Sequence, residues 1–151
     1  MISQVLKTFI MSIGIGFLAQ ILQSSLETNY LNNFLSQNLI TILIALLAIN
    51  SATLGIVLTK IRDLVERHGN AQCFNSTKKQ MILSIKEQIV LIVFAVIFLT
   101  VVSSRLISGH ENLKMLFDTT VIAIFAYALF VLYDTAKGVL IIIDFDIKEN
   151  G

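Results

Sequence analysis

Three stretches without charged side chains constrain the fold of this chain more than any other feature. Residues 39–59 are 21 consecutive uncharged residues, mostly Leu, Ile, Val and Ala. A helix of that length measures about 31 Å, which matches the hydrocarbon core of a bilayer. Residues 88–104 and 119–133 are also uncharged. Charged residues make up 14% of the chain, against about 25% in soluble domains. We therefore expect an all-α integral membrane protein, with residues 1–151 forming a single transmembrane helical domain.

The N-terminal segment is a fourth candidate span. Residues 8–26 carry no charge, but they include Gly14, Gly16, Gln20 and Gln23. An interfacial helix normally has a cationic face, which this segment lacks, and a signal peptide normally ends at a small-residue cleavage site, which is not evident here. The pattern favours a four-helix transmembrane bundle; the alternative is three spans plus an N-terminal interfacial helix. The two glycines indicate close packing against a neighbouring helix.

The distribution of lysine and arginine predicts the topology. With four spans, two basic residues, Arg105 and Lys114, fall on one side of the membrane. The other side carries nine: Lys7, Lys60, Arg62, Arg67, Lys78, Lys79, Lys86, Lys137 and Lys148. Because cytoplasmic loops are enriched in Lys and Arg, we expect a multi-pass protein of the inner (cytoplasmic) membrane with both termini in the cytoplasm.

The connection at residues 60–87 is predicted to be a cytoplasmic helical hairpin. "KIRDLVERHG" continues the second helix, with opposite charges four residues apart in Arg62–Glu66 and Asp63–Arg67. His68–Gly69 is a plausible end, and Asn75 or Ser76 can cap the third helix. Helices two and three would then extend out of the membrane as a stem. The stem is either an ordinary solvated extension or a docking surface for a cytoplasmic protein, for which the candidate residues are Arg62, Arg67, Lys78 and Lys79.

The C-terminal tail, residues 134–151, allows two interpretations. Asp134 and Lys137 are spaced for an ion pair on one helix face, and "IDFDI" alternates apolar and acidic residues as a short strand does. In one interpretation the last helix continues unbroken and places this pair near the inner membrane interface, where ionisable residues are functional candidates. In the other, the span ends near Tyr133 and the apolar tail packs on the stem.

Small residues in the 39–59 segment follow a helical period. Steps of four and three residues place six of them on one seam, a candidate face for helix packing or oligomer formation: Thr41, Ala45, Ala48, Ala52, Gly55 and Thr59. Asn50 faces away from this seam, close to Thr53, and a lipid-facing amide would leave its hydrogen bonds unmet. Asn50 therefore either bonds another helix of the chain or lines an oligomer axis or pore. We expect this helix to be central to a bundle or an assembly.

The sequence contains no arrangement typical of an enzyme. His68 and His110 are predicted on opposite sides of the membrane, and the lone Cys73 lacks partners for a disulfide or a cysteine metal site. No metal ligands or cofactor motif are evident, so we expect a protein that is not an enzyme and has no cofactor. The formal net charge of +1 gives no basis for direct nucleic-acid binding.

The segment "FLSQNLITILIALLA" followed by the basic extension "KIRDLVER" resembles small membrane proteins of bacterial phage exclusion and defence. The membrane component of the phage lambda Rex system is similar in size and in this kind of span, and the membrane subunit of the Kiwa system is similar in its four-span architecture. The resemblance covers about a third of the chain.

The resemblance implies a self-associating protein that works with a cytoplasmic protein partner, and our own first expectation for the homo-oligomer is a tetramer. The function expected from it is to sense or transmit membrane perturbation in anti-phage defence. The alternative is a membrane-depolarising pore or ion channel.

Overall fold

Four long helices account for almost all of the described chain. The computed structural model describes residues 2–68, 75–104 and 111–150, and the surroundings of side chains within 5–66, 75–104 and 113–140. The helices are α1 (Ile2–Ser25), α2 (Tyr30–His68), α3 (Asn75–Val102) and α4 (Glu111–Asn150). Each is long and apolar enough to cross a membrane, which suggests a multi-pass membrane protein. No strand occurs in these ranges, so the predicted all-α class is confirmed.

Successive helices of the bundle run antiparallel. Gly16 of α1 meets α4 at Thr119 and Ala123, whereas Val5 lines a cleft with Asp134, so the two helices run in opposite directions. The same holds for α2 with α3 and for α3 with α4. We call the end where α1 and α3 begin and α2 and α4 finish the basic end, because most of the lysines and arginines lie towards it.

Helices α2 and α4 are much longer than a bilayer core is thick. They contain 39 and 40 residues, or about 58 to 60 Å of helix. α2 continues through the predicted hairpin segment to His68, and α3 begins at Asn75, as the capping pattern predicted. Arg62 Nε lies 3.6 Å from Glu66 Oε1 on the exposed side of this extension. The side chain of Arg67 lies outside the described residues, and so does the expected Asp63–Arg67 pair.

The strand-like interpretation of "IDFDI" is wrong, because α4 continues as one helix to Asn150. A helix satisfies its backbone groups within the segment, whereas a lone short strand leaves them without partners. The helix also runs past Tyr133 without a break, while Val139 packs against the cluster of Val57, Leu64 and Met81 at the base of the extension. Within the described residues, Asp134 and Lys137 form no ion pair.

The central helix of the protomer is α4 and not α2. In the candidate spans, 44% of the α4 residues are buried, compared with 22% for α2 and 11% for α1 and for α3. α4 contacts each of the other three helices, and α1 packs almost only on α4. Alanines at buried positions of α4, such as Ala123, Ala126 and Ala128, allow helices to approach it from several sides. The expectation that residues 39–59 form the central helix is therefore corrected for the protomer.

A close contact joins α1 to α4 at Gly16. A Cβ atom added there would lie 2.7 Å from the Thr119 carbonyl oxygen and 3.2 Å from the Ala123 nitrogen. Gly14, two residues earlier, would place its Cβ in open space. Of the two glycines expected to mediate packing, only Gly16 does so within the protomer.

The turn between α1 and α2 has a regular helix-ending geometry. Thr28 N donates to Gln23 O at 3.0 Å, and Glu27 N donates to Ser24 O at 3.2 Å, the bond pair of a Schellman motif. Glu27 occupies the left-handed position with a φ of 50°. Glycine is the usual residue there, so the turn forms despite an unfavourable side chain.

Candidate functional site

The two faces of α2 have opposite environments. Its buried face is a leucine seam formed by Leu35, Leu39, Leu43 and Leu46, which continues to Asn50. The small-residue stripe lies about 160° around the helix. All six of its members are exposed: Thr41, Ala45, Ala48, Ala52, Gly55 and Thr59. A Cβ added to Gly55 would meet nothing within 4 Å. The stripe therefore takes no part in packing within the protomer.

Two amide side chains are buried in the core at the same depth. Val57 of α2 and Met81 of α3 share one apolar cluster. Asn50 lies seven residues before Val57, and Gln88 lies seven residues after Met81. Since the helices are antiparallel, both amides lie about 10.5 Å farther along the bundle, on the faces that carry Val57 and Met81. Asn50 and Gln88 are each 1% exposed.

Neither of these amides has a hydrogen-bond partner within the described chain. The oxygen and the nitrogen of Asn50 are both unpaired, and so are those of Gln88. A buried unsatisfied polar group costs about 1–3 kcal/mol. By contrast, the buried hydroxyls of Ser12 and Thr135 donate to the backbone carbonyl four residues earlier, at 2.8 and 3.0 Å. Thr53, the other predicted polar candidate, does the same with Ile49 O at 2.8 Å and is half-buried.

A cleft opens between α1, α3 and α4 towards the basic end. Its volume is about 340 Å³. Val5, Leu83 and Val131 provide apolar wall, and Ser84 is almost fully buried at its inner part. The remaining lining residues are polar or aromatic: Thr8, Ser76, Lys79, Gln80, Glu87, Tyr127 and Asp134.

The charges in this cleft are unevenly placed along its length. The half-buried Glu87 lies at the inner end, with the Tyr127 side chain within hydrogen-bonding reach of its carboxylate. On α4, Asp134 lies two turns beyond Tyr127, in the direction of the basic end. On α3, the exposed Lys79 lies about two turns before Glu87, also in the direction of the basic end. Within the described residues, no basic group comes within 4 Å of either carboxylate.

A separate polar cluster closes the opposite end of the bundle. Gln23 Oε1 accepts from the backbone nitrogens of Leu31 and Asn32 at 2.9 and 3.3 Å, so this side chain caps the first turn of α2. Asn32 Nδ2 in turn donates to Gln20 Oε1 at 3.2 Å and to Asp118 Oδ2 at 3.4 Å. These bonds join α1, α2 and α4, and they explain why the apolar first helix contains glutamines.

The predicted docking residues lie apart from the core. Arg62, Lys78 and Lys79 are exposed near the basic end. The side chain of Arg67 is outside the described residues, as are Cys73, His110 and the side chain of His68. Within the described ranges, no group of three or more His, Cys, Asp or Glu residues is arranged to hold a metal ion.

Known proteins give no independent guide to this site, because no protein family, curated protein or solved structure matches the chain.

Sequence reasoning missed Gln88, Glu87 and Tyr127. The spacing of Met81, Ser84, Gln88 and Ala95, all buried on one face of α3, was the available signal for Gln88. The cleft itself had no such signal, since its walls come from three helices far apart in sequence.

Proposed function

We propose that this chain is a multi-pass protein of the inner membrane that self-associates and transmits membrane perturbation to a cytoplasmic partner. Support for membrane insertion comes from α1, whose exposed face is apolar and whose packed face is polar or small. Phe9, Ile10 and Leu18 are 54%, 62% and 66% exposed. Ser12 and Gln23 are buried at 1% and 6%. A helix with this arrangement is unfavourable in water and stable in lipid.

The hydroxyl groups support the same proposal. Along all four helices, Ser and Thr side chains donate to the carbonyl oxygen four residues earlier, for example Thr59 to Gly55 at 3.0 Å and Thr100 to Val96 at 2.7 Å. Such bonds satisfy a hydroxyl without water, which a lipid-facing position requires.

The proposed orientation places the basic end in the cytoplasm. Seven lysine and arginine side chains of the described chain lie towards that end: Lys7, Lys60, Arg62, Lys78, Lys79, Lys86 and Lys137. Lys114 lies at the other end. This bias is the one that the positive-inside rule associates with the cytoplasmic side. It would make the paired extension of α2 and α3 a cytoplasmic stem.

Self-association is proposed to use the exposed stripe of α2. Small residues permit close backbone approach, which drives helix association in lipid, where the hydrophobic effect does not act between helices. The stripe is about 27 Å long from Thr41 to Thr59 by helix rise, and none of it is used within the protomer. A tetramer remains our first expectation for the assembly.

The observation that carries the functional proposal is the division of α2 into two parts. Its exposed stripe lies within the apolar span, and the exposed docking residue Arg62 lies on the same continuous helix beyond that span. A change in helix association within the membrane would thereby move the cytoplasmic docking surface. The resemblance to phage exclusion proteins makes infection-linked membrane perturbation the proposed stimulus.

The test is co-purification with the product of an adjacent gene. A triple variant, Arg62→Glu, Lys78→Glu and Lys79→Glu, should lose the partner and the defence phenotype while the protein remains in the membrane. Lys114→Glu is the matched control, because it reverses an exposed lysine at the opposite end. If the triple variant kept both the partner and the phenotype, the docking proposal would be wrong.

A second candidate function, a membrane-depolarising pore, is favoured by the unpaired Asn50 and Gln88 amides. Together with Ser84, one helical turn away on α3, they provide buried polar groups at two depths inside one protomer. Beyond these polar residues the core is filled by Leu39, Leu43 and Ala95. Conduction would therefore require these three apolar residues to separate. The pore proposal predicts ion flux in liposomes that Asn50→Leu reduces at least about tenfold; silent liposomes would count against it.

A further inference from the structure

The strongest unexplained feature is the charge imbalance of the cleft between α1, α3 and α4. Two carboxylates, Glu87 and Asp134, face a cavity of about 340 Å³, and neither has a basic group within 4 Å among the described residues. A charged group that is partly removed from water is unfavourable unless it is paired. The cleft therefore favours a guest that brings positive charge.

Lys79 does not fully supply that charge. It is exposed at the outer part of the cleft, near the level of Asp134, and reaches neither carboxylate within 4 Å. Glu87 lies eight residues farther along α3, which is about 12 Å deeper by helix rise. Lys79 can compete for Asp134 by a change of rotamer, whereas Glu87 stays beyond its reach.

The walls of the cleft indicate the kind of cation. Cavities that bind small molecules begin at about 300 Å³, so this one is larger than a bare ion requires. The Val5, Leu83 and Val131 side chains offer apolar contact, and Tyr127 adds an aromatic residue to the wall, a type of side chain that attracts cations. The described residues contain no cluster of three or more His, Cys, Asp or Glu suited to a metal ion.

The core next to the cleft is polar as well, although its amide does not line the cleft. Gln88 follows Ser84 by one turn on the same face of α3, and it is buried with both amide atoms unpaired. Polar side chains thus occur both at the inner part of the cleft, in Ser84 and Glu87, and in the neighbouring core, in Gln88.

We propose that this cleft is a binding site for a small organic cation, a protonated amine that carries an apolar group. The ammonium group pairs with Glu87, the negative charge of Asp134 attracts it from the outer part of the cleft, and the apolar group contacts Val5, Leu83 and Val131. The site does not depend on self-association, and it shares only Lys79 with the docking surface, so variants of Glu87 test it separately from the proposed function.

The test uses the full-length protein in lipid nanodiscs and two probes of nearly equal shape. 2-Phenylethylamine is protonated at pH 7, and 2-phenylethanol is neutral. Binding is measured by equilibrium dialysis, with protein-free nanodiscs subtracted to remove partitioning into lipid. The amine should bind saturably, and at least about tenfold more tightly than the alcohol, since charge pairing in a partly desolvated site supplies the difference.

Three variants separate the proposed site from general attraction by charge. Glu87→Gln should weaken amine binding at least about tenfold, and Lys79→Gln should strengthen it by removing a competing cation. Glu27→Gln, which neutralises an exposed carboxylate at the opposite end, should leave it unchanged. Circular dichroism and thermal unfolding of each variant verify that the bundle remains folded.

Several results would overturn this proposal. They are the absence of saturable amine binding at millimolar concentration, equal binding of the alcohol, or wild-type affinity in folded Glu87→Gln. Loss of affinity in Glu27→Gln to the same degree as in Glu87→Gln would also overturn it, because the attraction would then come from overall charge and not from the cleft.

Discussion

The contact between Gly16 and α4 allows a sharp test of the packing of the first helix. Replacement of Gly16 by Ala places a Cβ atom 2.7 Å from the Thr119 carbonyl oxygen, whereas ordinary contacts begin at 3.4 Å. The obstructing atom belongs to the backbone of α4, so no side-chain rotation relieves the clash. Helix α1 must move away by roughly 0.7 Å, a displacement typical of overpacked sites that cost about 1–3 kcal/mol.

Gly14→Ala is the matched control for this substitution. The two glycines lie in the same helix two residues apart, and both alanine variants gain the same helix propensity of about 1 kcal/mol. At Gly14 the new methyl group meets nothing within 4 Å. The difference between the two variants therefore isolates the clash, and we expect Gly16→Ala to be about 1–3 kcal/mol less stable than Gly14→Ala.

The assay is reversible unfolding by sodium dodecyl sulfate in mixed micelles, followed by circular dichroism. Free energies of unfolding are compared for wild type, Gly14→Ala and Gly16→Ala. Gly16→Leu should lower the free energy of unfolding further than Gly16→Ala does, because a larger side chain forces α1 and α4 farther apart. Equal stability of the two alanine variants would refute the packing of α1 on α4 through Gly16.

The remaining predictions concern the core, the turn and the outer face of α2. Asn50→Leu and Gln88→Met remove unpaired buried amides and should each raise the free energy of unfolding by about 1–3 kcal/mol; a loss of stability would mean that the amides have partners. Both variants should nevertheless impair activity if the amides serve the pore. Glu27→Gly relieves a left-handed backbone conformation and should stabilise the α1–α2 turn by about 1 kcal/mol, whereas Glu27→Val should destabilise it; a thermal melt that ranked these two in the opposite order would contradict the turn geometry. Ala48→Leu with Ala52→Leu should reduce the oligomer mass in detergent without unfolding the protomer, and Ser51→Leu, at an exposed position beside the stripe, should not.

Helix positions were predictable from the sequence because they depend on local properties. Charge-free length predicted the apolar segments, and capping residues predicted that α2 ends near His68 and that α3 begins near Asn75. The burial of Asn50 followed from the cost of exposing an amide to lipid. Each of these conclusions needs only one helix and its surroundings.

Helix arrangement was not predictable in the same way. The apolar segments have similar hydropathy, so nothing in one segment indicates which helix is central, and α4 holds that place because its alanines admit several neighbours. The alternation in "IDFDI" fits a strand locally, but the segment continues a helix that already provides its hydrogen bonds. Glu87, Tyr127 and Asp134 meet only through the packing of α3 on α4, and pairwise packing of apolar helices has no short sequence signature.

Self-association through the small-residue stripe of α2 is tested most directly by cysteine cross-linking in native membranes. With Cys73 replaced by Ser, a single cysteine is placed at Ala48, in the stripe, or at Ser51, beside it, and a mild oxidant is added. We expect a disulfide-linked dimer from Ala48→Cys and little or none from Ser51→Cys, since in the proposed assembly only the stripe brings two protomers into close contact. Cross-linking that is absent at Ala48, or equal at the two positions, would contradict an assembly built on this face.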